Sequence, residues 1–250
     1  MESIDTELAL KIRNDIIQGV YSKGERLSEQ QLCKTYNVSR TPIRLALRLL
    51  EREGIACRGE GRGYVVQSPT VADILQGVEV RGHLEGLAAR LMAQSPERFK
   101  FLPKMASAME TYTKLIGQGW IDEPMIRNMQ AANRVFHTSI LNGCGNEYVG
   151  YTCDRICHLP MLAIGSMVFD RSVTESPENM ERGLFRLRLG SAQHQVIFEA
   201  IEKGDPVRAE GMMREHSHTL IEYIQTFEKQ NESLTVADLV AYSAADINQP

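Results

Sequence analysis

Hydrophobic residues recur at helical spacing three times in the N-terminal part of the chain. The first stripe consists of Ala9, Ile12, Ile16 and Ile17. It predicts an amphipathic helix that ends near Gly19. Ser28 and Gln31 have the spacing of a capping box, which predicts the start of a second, short helix that ends at Asn37.

The third stripe begins soon after Asn37 and consists of Ile43, Ala46, Leu47 and Leu50. The second and third predicted helices, joined by a tight turn at Asn37, indicate a helix-turn-helix. After Gly54 the pattern changes, and the stretch IACRGEGRGYVV predicts two short strands around a glycine-rich turn. A hairpin that follows a helix-turn-helix makes a winged helix.

Beyond a short linker at residues 67–70, the periodicity is helical almost throughout. The predicted helices span residues 70–94, 98–117, 123–142, 146–166, 180–203 and 206–229. The clearest boundary is Gly204, Asp205 and Pro206, where one helix ends and the next is capped and begins. The predicted fold class is therefore mainly α, with a winged helix-turn-helix at residues 1–68, an all-helical bundle at 69–230 and a tail at 231–250.

Charge separates the two predicted domains, although the net charge of the chain is only −4. Residues 1–70 carry 11 Lys and Arg against 9 Asp and Glu, and the remaining 180 residues carry 17 against 23. This asymmetry is typical of a protein that meets phosphate at one end. No apolar run approaches the roughly 18 residues of a membrane span, and the N-terminus does not resemble a signal peptide. We therefore expect a cytoplasmic protein with no membrane partner.

The start of the third helix carries the candidate DNA contacts Ser39, Arg40, Thr41 and Arg44. Arg40, Arg44 and Arg48 share one face, and the positive end of the helix dipole suits phosphates and base edges in a major groove. A basic helix face is also common where a helix contacts only solvent. Its combination with two capped helices and a basic, glycine-rich hairpin favours DNA binding.

Several motifs between residues 5 and 67 resemble the DNA-binding domain of GntR-type bacterial transcription regulators. They are Leu-Ser-Glu, Val-Ser-Arg-Thr-Pro-Ile-Arg, Leu-Glu-Arg-Glu-Gly and Gly-Arg-Gly-Tyr-Val. The resemblance implies operator contacts by the four residues at the start of the third helix. It also implies that Gly61 and Gly63 let the hairpin tip approach the minor groove, beside Arg58 and Arg62. Gln30 stands where many members carry an arginine.

Three predicted helices each place a histidine on their apolar side, namely His137, His194 and His216. Imidazoles that converge from three helices can bind a first-row metal ion. A histidine on an apolar face is more often a hydrogen-bonded core residue. Spacing along the chain does not decide between the two interpretations.

Residues 74–228 resemble the all-helical FCD effector domain of the FadR-like branch of this family. The resemblance rests on the segments RGHLE at 81–85, NRVFH at 133–137 and AIEKGD at 200–205. It implies a zinc or nickel site formed by His137, His194 and His216, with Asn133 in place of the usual aspartate. It also implies a small carboxylate effector.

Three arginines are candidates for binding that effector. Arg81 would clamp the carboxylate, although it could equally form a structural pair with Glu85 one helical turn away. Arg134 and Arg155 are further candidates, and either could simply be solvated.

The sequence thus predicts a transcriptional regulator, not an enzyme, that binds a palindromic operator as a homodimer. A small organic acid bound in the helical domain is expected to control operator affinity, and relief of repression is the commoner outcome in the family. Two alternatives remain open: a metal-dependent enzyme fused to a DNA-binding module, and an architectural DNA binder without effector. Against the first, the chain has no HExxH motif.

Overall fold

The computed structural model describes residues 3–59, 63–156, 162–168, 173, 176–230 and 236. Contacts divide the chain into an N-terminal unit that runs to Val71 and a C-terminal unit that begins at Ala72. None of the described helices combines the length and the apolar character that crossing a bilayer requires.

The N-terminal unit contains three helices and a small antiparallel sheet. The helices are α1 (Ile4–Ile17), α2 (Glu29–Thr35) and α3 (Arg40–Arg52), and the strands are β1 (Arg26–Leu27), β2 (Ala56–Arg58) and β3 (Tyr64–Val66). Strand β3 is central and pairs antiparallel with β1 on one edge and with β2 on the other. Its Val65 lies opposite Arg26 of β1 and opposite Cys57 of β2. Helices α1 and α3 pack through the predicted stripes, in which Ile12, Ile43 and Leu47 are fully buried. The predicted winged helix is confirmed.

Two details of this unit differ from the sequence-based prediction. Strand β1 was not predicted, because two residues carry no detectable alternation. Ser28 does stand at the start of α2, but its side chain makes no capping hydrogen bond there. Asn37 adopts the predicted left-handed conformation, with φ of 53°.

The C-terminal unit is helical. Its helices are α4 (Val71–Gln94), a 3-10 helix (Pro96–Lys100), α5 (Leu102–Ile116), α6 (Glu123–Gly143), α7 (Glu147–Ile156), α8 (Pro177–Lys203) and α9 (Pro206–Gln230). Buried side chains of α4, α5, α6, α8 and α9 form the main core, with Met92, Phe136 and Ile197 near its centre.

The prediction of one helix over 146–166 is wrong. Helix α7 ends at Ile156, and the described residues 163–168 lie outside any helix. The apolar residues of this stretch continue a helical period by chance, whereas Gly165 has φ of +67° and interrupts a right-handed helix. Helix α8 begins three residues before the predicted start because Ser176 accepts a hydrogen bond from the Asn179 backbone N–H, at 3.2 Å.

Candidate operator-binding surface and metal-binding cavity

The N-terminal unit presents a concave basic surface at the start of α3. The four candidates there, Ser39, Arg40, Thr41 and Arg44, are all exposed. The arginines that line the surface are Arg26, Arg40, Arg44, Arg48 and Arg58. Helix α3 supplies three of them at four-residue intervals, so that their side chains emerge on one face.

Two of these arginines form ion pairs with glutamates of the same unit. The Arg44 Nε lies 2.9 and 3.0 Å from the two carboxylate oxygens of Glu29, and the Arg58 Nε lies 3.2 Å from Glu51. The Arg44 and Arg58 side chains are 59% and 68% exposed. Exposed pairs contribute about 0–1 kcal/mol, so a phosphate or a base edge can replace the glutamate at little cost.

The wing is described only in part, because Gly61 and Arg62 lie outside the described residues. Gly63 has φ of +128°, and a Cβ added to it would lie 3.2 Å from the Arg26 Nε. Glycine therefore lets the base of the wing lie close to Arg26. Sequence reasoning missed Arg26, although its position just before the Leu-Ser-Glu motif could have indicated it.

In the C-terminal unit, α6, α8 and α9 bring three histidines together. One potential ligand atom from each of His137, His194 and His216 lies within 4.8 Å of the others. Ring centroids are 4.6 Å apart for His194 and His216 and 5.4 Å apart for His137 and His194. The convergence that spacing could not establish is therefore present.

Hydrogen bonds orient two of the three rings. The His137 Nδ1 lies 2.6 Å from a Glu85 carboxylate oxygen, and the His216 Nδ1 lies 2.9 Å from the Gln193 amide oxygen. Both partners accept, so each Nδ1 carries a proton, and the two Nε2 atoms are the candidate metal ligands. The Gln193 NH2 donates to Thr219 at 2.9 Å, which fixes the orientation of that amide.

His194 lacks such a partner. Its Nε2 is buried and has no hydrogen-bond partner among the described residues. The ring stacks on Phe136, with centroids 4.3 Å apart. An orphaned polar atom of this kind is costly in a core and suggests an absent ligand.

Burial sets the protonation of the cluster. It lowers the pKa of His194 well below the ordinary value, and the neighbouring His216 and His137 lower it further. Burial, with His137, lowers the pKa of His216 to about 3, although Glu85 partly opposes this. Burial alone would raise the pKa of Glu85, but the charge and hydrogen bond of His137, together with Arg81, lower it to about 2. Neutral imidazoles are the form that binds metal ions.

We expect acid to destabilise the metal-free C-terminal unit. Unfolding returns His194 and His216 to the ordinary pKa of 6.5, so the unfolded state binds more protons below about pH 6.5 and stability falls as the pH falls toward 4. Thermal unfolding between pH 7 and pH 4 measures this slope. His194→Phe should flatten it, while His218→Gln, at an exposed histidine, should not. An equal slope in His194→Phe would contradict the assignment.

The donor set fits a divalent ion. Three imidazoles are ligands of zinc and nickel, and Asn133 borders the same cavity. The Asn133 NH2 donates to the carbonyl oxygen of Gly165 at 2.9 Å, which leaves its side-chain oxygen for other partners. Two zinc–nitrogen bonds of about 2.1 Å span at most about 4.2 Å, so the rings would move slightly inward around an ion.

The cavity beside the histidines has a free volume of about 50 Å³. On this measure one water needs roughly 10–15 Å³, so the space suits a few waters or a short acid. Arg81 and Arg186 both line it. Neither Arg134 nor Arg155 is among the described lining residues; the latter lies over the Tyr151 ring and donates to its hydroxyl at 2.6 Å.

The two lining arginines already have partners. The Arg81 Nε lies 3.3 Å from Glu85, so the structural pair considered from the sequence is formed. Arg81 also donates to the Ser166 hydroxyl at 3.0 Å. Arg186 lies over the Tyr223 ring, 4.0 Å from its centroid. Sequence reasoning missed Arg186, although it lies two helical turns before His194 on the same face of α8.

Comparison with known proteins gives two family matches. The model described as "Bacterial regulatory proteins, gntR family" matches residues 5–66, and the model of the FCD domain matches residues 76–219.

Individual relatives span nearly the whole chain. The uncharacterized HTH-type transcriptional regulator YdhC of Bacillus subtilis (strain 168) is 26% identical over 215 residues, 86% of this chain and 88% of that protein. The HTH-type transcriptional repressor GlaR of Escherichia coli (strain K12) is also 26% identical, over 86% of this chain and 92% of its own. The solved structure of Lar, which controls expression of the Listeria monocytogenes agr system, matches with a TM-score of 0.60 at 19% identity, covering 91% of this chain and 99% of that chain. At this identity the structural likeness shows the fold alone.

Proposed function

Because the chain belongs to the GntR family of bacterial regulatory proteins and has an FCD domain, we propose that it is a repressor controlled by a short organic acid. DNA binding and transcriptional regulation follow from the family, which is one of regulators and not of enzymes. The name of the relative GlaR supports repression. The acid would bind in the helical domain, residues 69–230, and change operator affinity of the winged helix, residues 1–68.

One observation carries the effector proposal: a small cavity is lined by two arginines and by His137 and His216, which form a cluster with His194. His137, His194 and His216 would hold zinc or nickel, with Asn133 as a neutral oxygen ligand. The ion would supply an open coordination position and positive charge for a carboxylate. Arg186, or Arg81, would hold the acid by a forked hydrogen bond.

Charge and volume restrict the acid. A divalent ion among three neutral imidazoles and an amide gains no anionic ligand from Asn133, so an anion is favoured beside it. The free volume of about 50 Å³ admits only a short chain without rearrangement. We therefore propose short mono- or dicarboxylates as the effector class.

We also propose a homodimer that reads a palindromic operator. Two copies of α3 on a two-fold axis would place Arg40 and Arg44 in successive major grooves. Ser39 and Thr41 would contact phosphates or bases beside them. Gly63, with Gly61 and Arg62 of the wing, would approach the minor groove, and Arg58 would contact the backbone.

Short acids test the cavity as the effector site. With zinc present, we expect oxalate, malonate or succinate to raise the thermal midpoint of the full chain by about 5–10 °C at a hundredfold excess over Kd. Arg186→Gln should abolish most of this shift, because it removes the guanidinium from the cavity. Arg188→Gln is the matched control, since Arg188 is exposed and pairs with Glu181 at 2.8 Å. Equal shifts in the two variants would contradict the role of Arg186.

A further inference from the structure

Residues 163–168, which we call the strap, form one wall of the effector cavity outside any helix. Four polar side chains of the C-terminal unit donate hydrogen bonds to its backbone. The pairs are Arg81 with the carbonyl of Ala163 at 3.1 Å, Asn133 with that of Gly165 at 2.9 Å, Gln130 with that of Met167 at 3.4 Å, and Arg186 with that of Val168. Three of these donors, Arg81, Asn133 and Arg186, also line the cavity, so the same polar groups face the cavity and hold this short segment.

Gly165 presses the strap directly onto α6. A Cβ at this position would lie 2.5 Å from the Arg134 Cα and 2.7 Å from the Arg134 backbone nitrogen. These contacts are with helix backbone, which cannot move aside, and φ of +67° disfavours any other residue. The attachment therefore depends on glycine at position 165.

The strap carbonyls and a carboxylate require the same donors. A carbonyl oxygen accepts from a guanidinium or an amide, and a carboxylate oxygen accepts from the same groups through shorter, stronger, charge-assisted bonds. Arg81 and Arg186 cannot grip an acid with the N–H groups that hold Ala163 and Val168. A short acid that fills the free volume of about 50 Å³ would also lie directly against the strap, because Gly165, Ser166 and Met167 line the cavity.

We propose that the strap is an internal competitor of the effector, and that a short acid binds by replacing the strap carbonyls on Arg81 and Arg186 and thereby releases the strap. The proposal rests on the proposed effector role of the cavity and identifies the element that moves when the effector binds. It assigns Gly165 the role of holding the unliganded arrangement.

Hydrogen exchange of the full chain tests the release directly, with malonate as the probe and neutral malonamide as its control. We expect malonate to speed exchange of the amides of residues 163–168 severalfold, including the Ser166 N–H, which donates to Ala163 at 2.8 Å. Malonamide should leave these rates unchanged. The direction is diagnostic, because a ligand that merely fills a cavity slows exchange of its walls.

Gly165→Ala should detach the strap without ligand. We expect fast exchange of residues 163–168 in this variant and an affinity for malonate that is higher by about tenfold in calorimetry, because the competitor is gone. Gly211→Ala is the matched control, since a Cβ there meets nothing within 4 Å. Should Gly165→Ala fail to fold, Gln130→Leu is the alternative, because it removes one strap hydrogen bond. It should raise the exchange rate of residues 163–168 and the malonate affinity by smaller amounts.

Three results would overturn the proposal: malonate binding with unchanged or slower strap exchange, equal malonate affinity in wild type and the strap variants, or no malonate binding to any of them. A different result separates the two proposals. If malonate releases the strap but the operator affinity of the same sample stays constant, the effector function is wrong and the competition between strap and acid stands.

Discussion

Replacing Arg44 by alanine is expected to weaken operator binding by at least about tenfold, because a bidentate contact of arginine with a base is worth about 1–3 kcal/mol and a dimer loses it in both half-sites. Arg44 is exposed at the start of α3, and only Glu29 holds it in an ion pair that the structure records. The same loss is expected for Arg40→Ala, since Arg40 precedes it by one turn on the same face. Fluorescence anisotropy with a duplex that the wild type selects from random DNA measures both.

Arg52→Ala is the matched control for this measurement. It removes one exposed arginine from the last turn of the same helix, outside the basic surface. We expect it to change affinity by less than about twofold at fixed salt. Arg48→Ala should weaken binding to all DNA sequences alike, as expected for a phosphate contact. It should also reduce the slope of log K against log salt concentration by about one. Equal effects of Arg44→Ala and Arg52→Ala would exclude α3 as the recognition helix.

The second large effect is expected at the histidine cluster. We expect the wild type to retain about one zinc or nickel per chain after purification without chelator, and His194→Ala to lose it. The variant leaves two imidazoles and an amide, too few strong ligands to hold a first-row ion. Elemental analysis of untagged protein gives the stoichiometry, and competition with a chromophoric chelator gives the affinity.

Two further variants show whether any loss is specific. His218→Ala should keep full metal content because His218 is exposed, two residues beyond His216. Glu85→Gln should weaken metal binding about 10–100-fold, because a carboxylate that orients a ligating imidazole contributes that much. Metal retained by His194→Ala, or absent from the wild type, would make the histidines polar cavity lining only.

Local patterns predicted the winged helix well because its elements are encoded locally. The apolar stripe of α3, the left-handed Asn37 and the change of period after Gly54 each depend on neighbours in the chain. The mainly helical fold class and the GntR and FCD resemblances are likewise confirmed. Strand β1 could not be found this way, since two residues gain strand geometry only by pairing with β3.

The cavity depended on information that no local pattern contains. Spacing placed His137 and His194 on apolar helix faces, but only the packing of α6, α8 and α9 brings the rings together. The apolar residues of the strap fit a helical period, but the donors that hold its backbone outside a helix come from elements distant in the chain. The sequence did not single out Arg186, because helix α8 carries many charged residues and only the tertiary structure shows which of them lines the cavity.

The central claim is that an acid in the helical domain changes the affinity of the winged helix for its operator. The most direct measurement is operator affinity of the full chain at fixed salt, with zinc, across a titration of short acids and their neutral amides. The account predicts that at least one acid weakens operator binding by roughly 5–150-fold, the range of allosteric coupling, and that its amide and the Arg186→Gln variant show no such change. Operator affinity that stays constant while an acid demonstrably occupies the cavity would contradict it.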